Sequence, residues 1–222
     1  MLDLIKEKIR STKAYGIVGG YLFGQRARAF DKKYNVETAR EVRFSELKID
    51  SPNVEHGVFY AGTEPKSFQH ILNFFNIEFE KYEFIDLGSG KGRALLMASE
   101  RPFKKITGIE FSSELNAVAQ KNIASYKNLD QKCRQIELIC LDAALFIPPP
   151  EPIVFYAFNP FHAEVLSLVL TNIEQSLGEN PREIYIIYAC PIHNEVLRGS
   201  AFFKEVYSNA WYSIYKNLDL TN

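Results

Sequence analysis

The 222-residue sequence predicts an α/β fold: a doubly wound, mostly parallel seven-stranded sheet with a helical N-terminal extension. Three observations predict it. The stretch FIDLGSGKGRALLMASE (84–100) reads as a strand, a glycine turn and a helix. Short apolar runs then alternate with segments of helical periodicity, the pattern of parallel strands joined by crossover helices. The last two apolar runs follow each other across a Ser208-Asn209 turn and read as an antiparallel pair.

Composition bounds the rest. Apolar residues make up 46% of the chain, enough for the core of one sizeable domain plus a small extension. The expected division is a helical extension over 1–50 and a ligand-binding domain over 51–222. A net charge of −1 gives no global push toward nucleic acid or an anionic membrane, and it leaves room for a local basic patch. Cys133, Cys140 and Cys190 form no CxxC pair and leave one thiol over, so neither a disulfide framework nor a zinc site is indicated. Reduced thiols in a cytoplasmic protein fit better. The run AYGIVGGYLFG (14–24) has the outline of a signal peptide. Asp3 and Glu7 in its leader, its glycines and Arg26/Arg28 at the supposed cleavage site argue against one, and eleven residues cannot span a bilayer.

Residues 1–48 read as mostly helical, broken near Gly16 to Gly24, with a second helical segment from about Arg26 to Arg40. Eleven Lys/Arg against six Asp/Glu give this stretch a net +5. That suits either a solvated face or a basic lid for an acidic partner. Ser51-Pro52-Asn53 marks a loop. Thr63 is placed to cap a helix with Pro65 in its first turn, and Phe68, Ile71, Leu72 and Phe75 follow at helical spacing.

The strand ending in Asp86 runs into Gly88-Ser89-Gly90-Lys91-Gly92, whose glycines allow tight turning and close approach of a ligand to backbone N–H groups. Lys91 and Arg93 are expected to flank this loop in solvent, where either could meet an acidic substrate. Twenty residues past Gly90, KKITGIE ends in Glu110, a carboxylate suited to holding both hydroxyls of a ribose. A helix follows from about Glu114 to Tyr126, then the strand IELICLD ending in Asp142-Ala143. IVFYAF is continuous enough for a buried central strand and ends in Asn159-Pro160-Phe161. A helix from His162 to about Leu177, the strand EIYIIYAC, a short helix near 194–198 and the two final strands complete the chain.

A dinucleotide fingerprint requires a third glycine at position 93, which here is Arg93. The spacing D-L-G-x-G-x-G instead resembles motif I of the class I S-adenosylmethionine-dependent methyltransferases, over about residues 55–216. The first 50 residues look similar to extensions of bacterial members. The resemblance implies the sheet order 3-2-1-4-5-7-6 and S-adenosyl-L-methionine as cofactor. It also implies a cofactor site of Asp86, Gly88, Ser89, Gly90, Gly92, Glu110, Phe111, Asp142 and Ala143, with Tyr60 and Thr63 in a covering loop. Asp142 corresponds to the acid that reads the adenine amine, or it serves only to cap the following turn.

Asn159-Pro160-Phe161 resembles motif IV of amino-methylating enzymes, usually N/D-P-P-Y/F, with one proline missing. The resemblance implies N-methylation of an amino group. In that reading the Asn159 Oδ1 and the Pro160 carbonyl orient the amine, while Phe161 stacks on a planar group or lines a channel. Protein lysine is the first acceptor expected, because D-L-G-S-G-x-G is similar to the motif of seven-stranded lysine methyltransferases. Nucleic acid and small-molecule amines remain open acceptors. A nicotinamide oxidoreductase uses the same half-sheet, but the missing glycine and the lack of a second substrate domain disfavour it. A non-catalytic binding protein is the other alternative. The histidines His56, His70, His162 and His193 show no metal-ligand spacing, and His162 alone sits where a base would be tested.

Overall fold

Alternation of side chains along each strand builds the sheet and its two covered faces. The computed structural model of the chain describes residues 22–43, 47 and 60–219. The signal-like run up to residue 21, the Ser51-Pro52-Asn53 loop and His56 lie outside the described residues. Seven strands form one sheet: β1 (Glu83–Leu87), β2 (Lys105–Glu110), β3 (Ile136–Cys140), β4 (Ile153–Phe158), β5 (Ile184–Ala189), β6 (Phe203–Ser208) and β7 (Tyr212–Asn217). Their order is β3-β2-β1-β4-β5-β7-β6, as the resemblance implies. The first five pair in parallel, and β7 is antiparallel to both β5 and β6.

On β4, Val154 and Tyr156 point to one face, and Ile153, Phe155 and Ala157 to the other. This is why IVFYAF is apolar throughout: a central parallel strand is buried on both sides. The first face is covered by α1 (helical through 22–34), α2 (Pro65–Leu72) and α3 (Arg93–Ala98), with Phe30, Tyr34, Phe68, Leu72 and Leu95 in its core. The second is covered by α5 (Ala163–Glu179), which lays Val165, Val169, Ile173 and Leu177 against the sheet. The helices α4 (Ser113–Ser125) and α6 (Asn194–Arg198) complete the framework.

Two local expectations need correction. The helical segment expected to reach Arg40 ends at residue 34, because Asn35 takes a left-handed φ of 55°. Asn tolerates this region better than most residues. The Asp31 carboxylate then accepts the Thr38 and Ala39 N–H groups at 2.8 and 2.7 Å and folds the chain back on the helix. Nor does Thr63 cap α2. Glu64 does, accepting the Ser67 N–H at 2.7 Å, which leaves the Thr63 hydroxyl free to bond with Tyr156 Oη at 2.9 Å. Among the described residues no helix is long and apolar enough to cross a membrane.

Candidate functional site

The carboxyl ends of β1, β2 and β4 open onto one cleft of about 820 Å³ including its mouth. Ligands of open α/β sheets bind at this edge, where the strand order reverses beside β1. The turn after β1 is built from three positive-φ glycines, Gly88 at 81°, Gly90 at 53° and Gly92 at 82°. At two of them the neighbours also exclude a side chain. A Cβ on Gly88 would stand 2.5 Å from Pro160 Cβ, and one on Gly90 would collide with the Tyr60 ring. The turn is therefore closed from both sides, by the Tyr60 ring and by the turn after β4.

Glu110 ends β2 with its carboxylate directed at this turn. It is buried, and its two oxygens accept the Gly90 and Ser112 N–H groups, each at 2.8 Å. Burial pushes its pKa up to about 7 against the pull of those N–H groups. The Phe111 N–H pulls in the same direction, and with three N–H groups drawn to it the carboxylate keeps acceptor capacity for a further donor. Asp86 is also buried, and burial followed by the charge of Glu110 holds its pKa well above the ordinary carboxylate value. Two buried acids in one cleft resist joint ionisation, so a cationic ligand suits them better than an anionic one. Asp142 caps the turn after β3, accepting the Ala144 N–H at 2.9 Å, and it lines the cleft as well.

Of the residues singled out in the sequence, Tyr60, Thr63, Asp86, Gly88, Ser89, Glu110, Phe111, Asp142, Ala143, Asn159, Pro160 and Phe161 all line this cleft. Gly90 and Gly92 shape the turn without lining it. Asn159 has a φ of 41°, and its Oδ1 accepts the Tyr188 hydroxyl at 2.8 Å. Tyr188 is almost fully buried and also meets the His193 N–H at 3.4 Å, so its hydroxyl has a fixed direction. His162 is exposed, does not line the cleft, and has its ring 5.9 Å from that of His193.

The largest departure concerns Lys91 and Arg93, expected in solvent and found 3% and 2% exposed. Lys91 is ion-paired with Glu37. Asn122 of α4 bonds both the Glu37 and Lys91 carbonyls and accepts the Glu37 N–H, stapling the N-terminal segment to the glycine turn. Arg93 Nε donates to Thr38 Oγ1 at 2.7 Å, and its Nη1 donates to the Gly62 and Thr63 carbonyls at 3.1 and 3.2 Å. These partners lie 30 to 55 residues away in sequence, so no local pattern marks either side chain as buried. Tyr156 is the other lining residue that sequence pattern passed over, being one of six apolar residues in β4.

No family model matches the chain, and a search of curated proteins finds no relative. Solved structures do resemble it. An S-adenosylmethionine-dependent O-methyltransferase from Thermotoga maritima aligns with a TM-score of 0.52 over 72% of this chain and 68% of its own, at 12% identity. A ribosomal protein L11 methylase from Lactobacillus delbrueckii aligns with a TM-score of 0.50 over 71% of this chain and 80% of its own, at 14% identity. A predicted N6-adenine-specific DNA methylase from Listeria monocytogenes gives 0.52 at 13% identity over 71% of this chain, which spans 51% of that protein's length. The shared feature is the fold: a seven-stranded, Rossmann-like methyltransferase sheet.

Proposed function

We propose that this chain is an S-adenosylmethionine-dependent methyltransferase acting on an amino group. The observation that carries the reading is Glu110, a buried carboxylate at the end of β2 held against a positive-φ glycine turn at the end of β1. The residues present fit the donor. Glu110 keeps acceptor capacity for a ribose hydroxyl, and Phe111, Asp142 and Ala143 line the same cleft and suit an adenine. Ser89 Oγ is buried without a hydrogen-bond partner among the described residues, a polar atom that a ligand in the turn can satisfy. The raised pKa values of Asp86 and Glu110 favour a ligand carrying positive charge, which a sulfonium and an ammonium both supply.

When bound, S-adenosyl-L-methionine supplies a methyl group on sulfonium sulfur for in-line displacement. The work left to the chain is to position the reactants and exclude water. Pro160 packs against Gly88, which brings the turn after β4 up to the glycine turn, and Asn159 lines the same cleft. Tyr188 occupies one lone pair of Asn159 Oδ1 and fixes the amide. The second lone pair and the Pro160 carbonyl are then available to accept N–H from a neutral amine and aim its own lone pair. Phe161 supplies an apolar wall.

Protein lysine is the first acceptor to test. The structural neighbours are named as an O-methyltransferase, a ribosomal protein L11 methylase and a predicted N6-adenine-specific DNA methylase, so the fold does not choose among acceptors. Labelled donor incubated with cell extract, then separated into protein, nucleic-acid and small-molecule fractions, tests the reading. Label in the protein fraction supports lysine, and label in nucleic acid redirects the acceptor. No transfer to any fraction contradicts the enzymatic reading.

A further inference from the structure

We propose that Arg93 is the anion-binding residue of the cleft, that its Nη2 receives the carboxylate of the bound donor, and that residues 31–38 hold it for this task. The proposal rests on the donor reading above and assigns a residue that the motif resemblance leaves out. Arg93 lines the cleft and is 2% exposed. Its Nε is used by Thr38 Oγ1, and both Nη1 contacts are to main-chain carbonyls, of Gly62 and Thr63. All three partners are neutral. Nη2 is buried and has no hydrogen-bond partner among the described residues.

A guanidinium in this state is costly: it is desolvated, which lowers its pKa, and it leaves donors unused. Asp31 and Glu64 support its charge from a distance, and Asp31 is linked to it by hydrogen bonds through Thr38, whose hydroxyl donates to Asp31 Oδ1 at 2.5 Å while accepting from Arg93 Nε. The directions of these bonds are consistent: cation, hydroxyl, carboxylate. The relay fixes the Nε side of the guanidinium and leaves the Nη2 donors for something else. A planar carboxylate is the ligand group that matches such donors best.

Thr38 is fully buried and makes a second link to the cleft, through Tyr60. Its carbonyl accepts the Tyr60 hydroxyl at 2.8 Å, and Tyr60 closes over Gly90. The N-terminal segment therefore positions both the arginine and the aromatic ring beside the glycine turn. A role for the extension at the donor site follows, alongside any role in recognising an acceptor.

Calorimetry with S-adenosylmethionine and its decarboxylated analogue, which lacks only the carboxylate, tests the proposal. The wild-type protein should bind the intact donor at least about tenfold more tightly, as expected for a charge-assisted contact. Arg93→Met should close most of that gap by weakening the intact donor about 10- to 100-fold, while the analogue changes by no more than about threefold. Thr38→Val, which keeps the charge but cuts the relay, should narrow the gap partly. Equal affinity of wild type for the two ligands overturns the proposal without any variant. So does an Arg93→Met protein whose gap is unchanged, or one that loses both ligands equally. An unnarrowed gap in Thr38→Val overturns the positioning part. A wild type that binds neither ligand overturns the donor reading itself.

Discussion

Replacing Glu110 separates its two tasks, because the structure gives its carboxylate structural partners as well as a place for a ribose. In Glu110→Ala the Gly90 and Ser112 N–H groups lose acceptors that now stand at 2.8 Å. Leaving two buried donors unpaired costs about 2–4 kcal/mol, a fall in melting temperature of roughly 4–15 °C at this chain length. From sequence alone a strand-end carboxylate facing a cleft is expected to add little stability, and these two bonds overturn that expectation. Losing a charge-assisted bond to a ribose hydroxyl costs a further ~1.5–3 kcal/mol, about 10- to 150-fold in donor affinity. Glu110→Gln should lose less of both, since its amide oxygen still accepts one N–H. The assay is calorimetry with S-adenosylhomocysteine well below the variants' melting temperatures. The pH profile adds a sign. Ribose hydroxyls favour the ionised carboxylate, so wild-type affinity should rise as pH passes through the Glu110 value of about 7. The Glu110→Gln profile should lack that rise. Because this pKa lies above the ordinary 4.5 in the folded protein, the stability it contributes is greatest below 4.5 and is lost as pH rises through 7. A stable Glu110→Ala protein that binds like wild type, with the same pH profile, would refute the reasoning.

Other perturbations test the remaining parts of the site. Tyr188→Phe removes the hydroxyl that fixes Asn159, so kcat should fall about tenfold or more while donor affinity stays within about twofold; unchanged kcat means Asn159 needs no such support. Gly90→Ala forces an L-residue into φ 53° and drives its Cβ into Tyr60. It should destabilise the chain by more than the ~1–2 kcal/mol of the backbone alone, read by denaturant melting, and a wild-type midpoint would contradict the packing. Asp31→Ala leaves the Thr38 and Ala39 N–H groups without their acceptor and should lower stability by about 2–4 kcal/mol. Deleting residues 1–48 removes Phe30 and Tyr34 from the core and should abolish cooperative melting. A deletion protein that melts like the full chain would show that the extension is separable.

The framework of the fold was legible because it depends on local pattern. The strand–turn–helix at 83–98, the continuous apolar run of β4 and the strand-end acids all follow from residue type and spacing, and they place the rim of the cleft. Legibility failed where a partner lies far along the chain. Lys91 and Arg93 read as solvent-facing because their neighbours are small and flexible. Their burial depends on Glu37 and Thr38, 54 and 55 residues upstream. Thr63 fitted a cap by type, but a hydroxyl 93 residues away took its side chain and Glu64 served instead. The early end of α1 did carry a signal, Asn35, whose tolerance of positive φ makes it a natural terminator.

The most direct test is calorimetry of the unmodified chain with S-adenosylhomocysteine, followed by competition with NAD and NADP. A cleft that holds a ribose on Glu110 and a cationic amino-acid end beside Asp86 should give saturable binding in the micromolar range, with neither dinucleotide competing. Saturable binding of NAD with no response to S-adenosylhomocysteine would contradict the methyltransferase assignment.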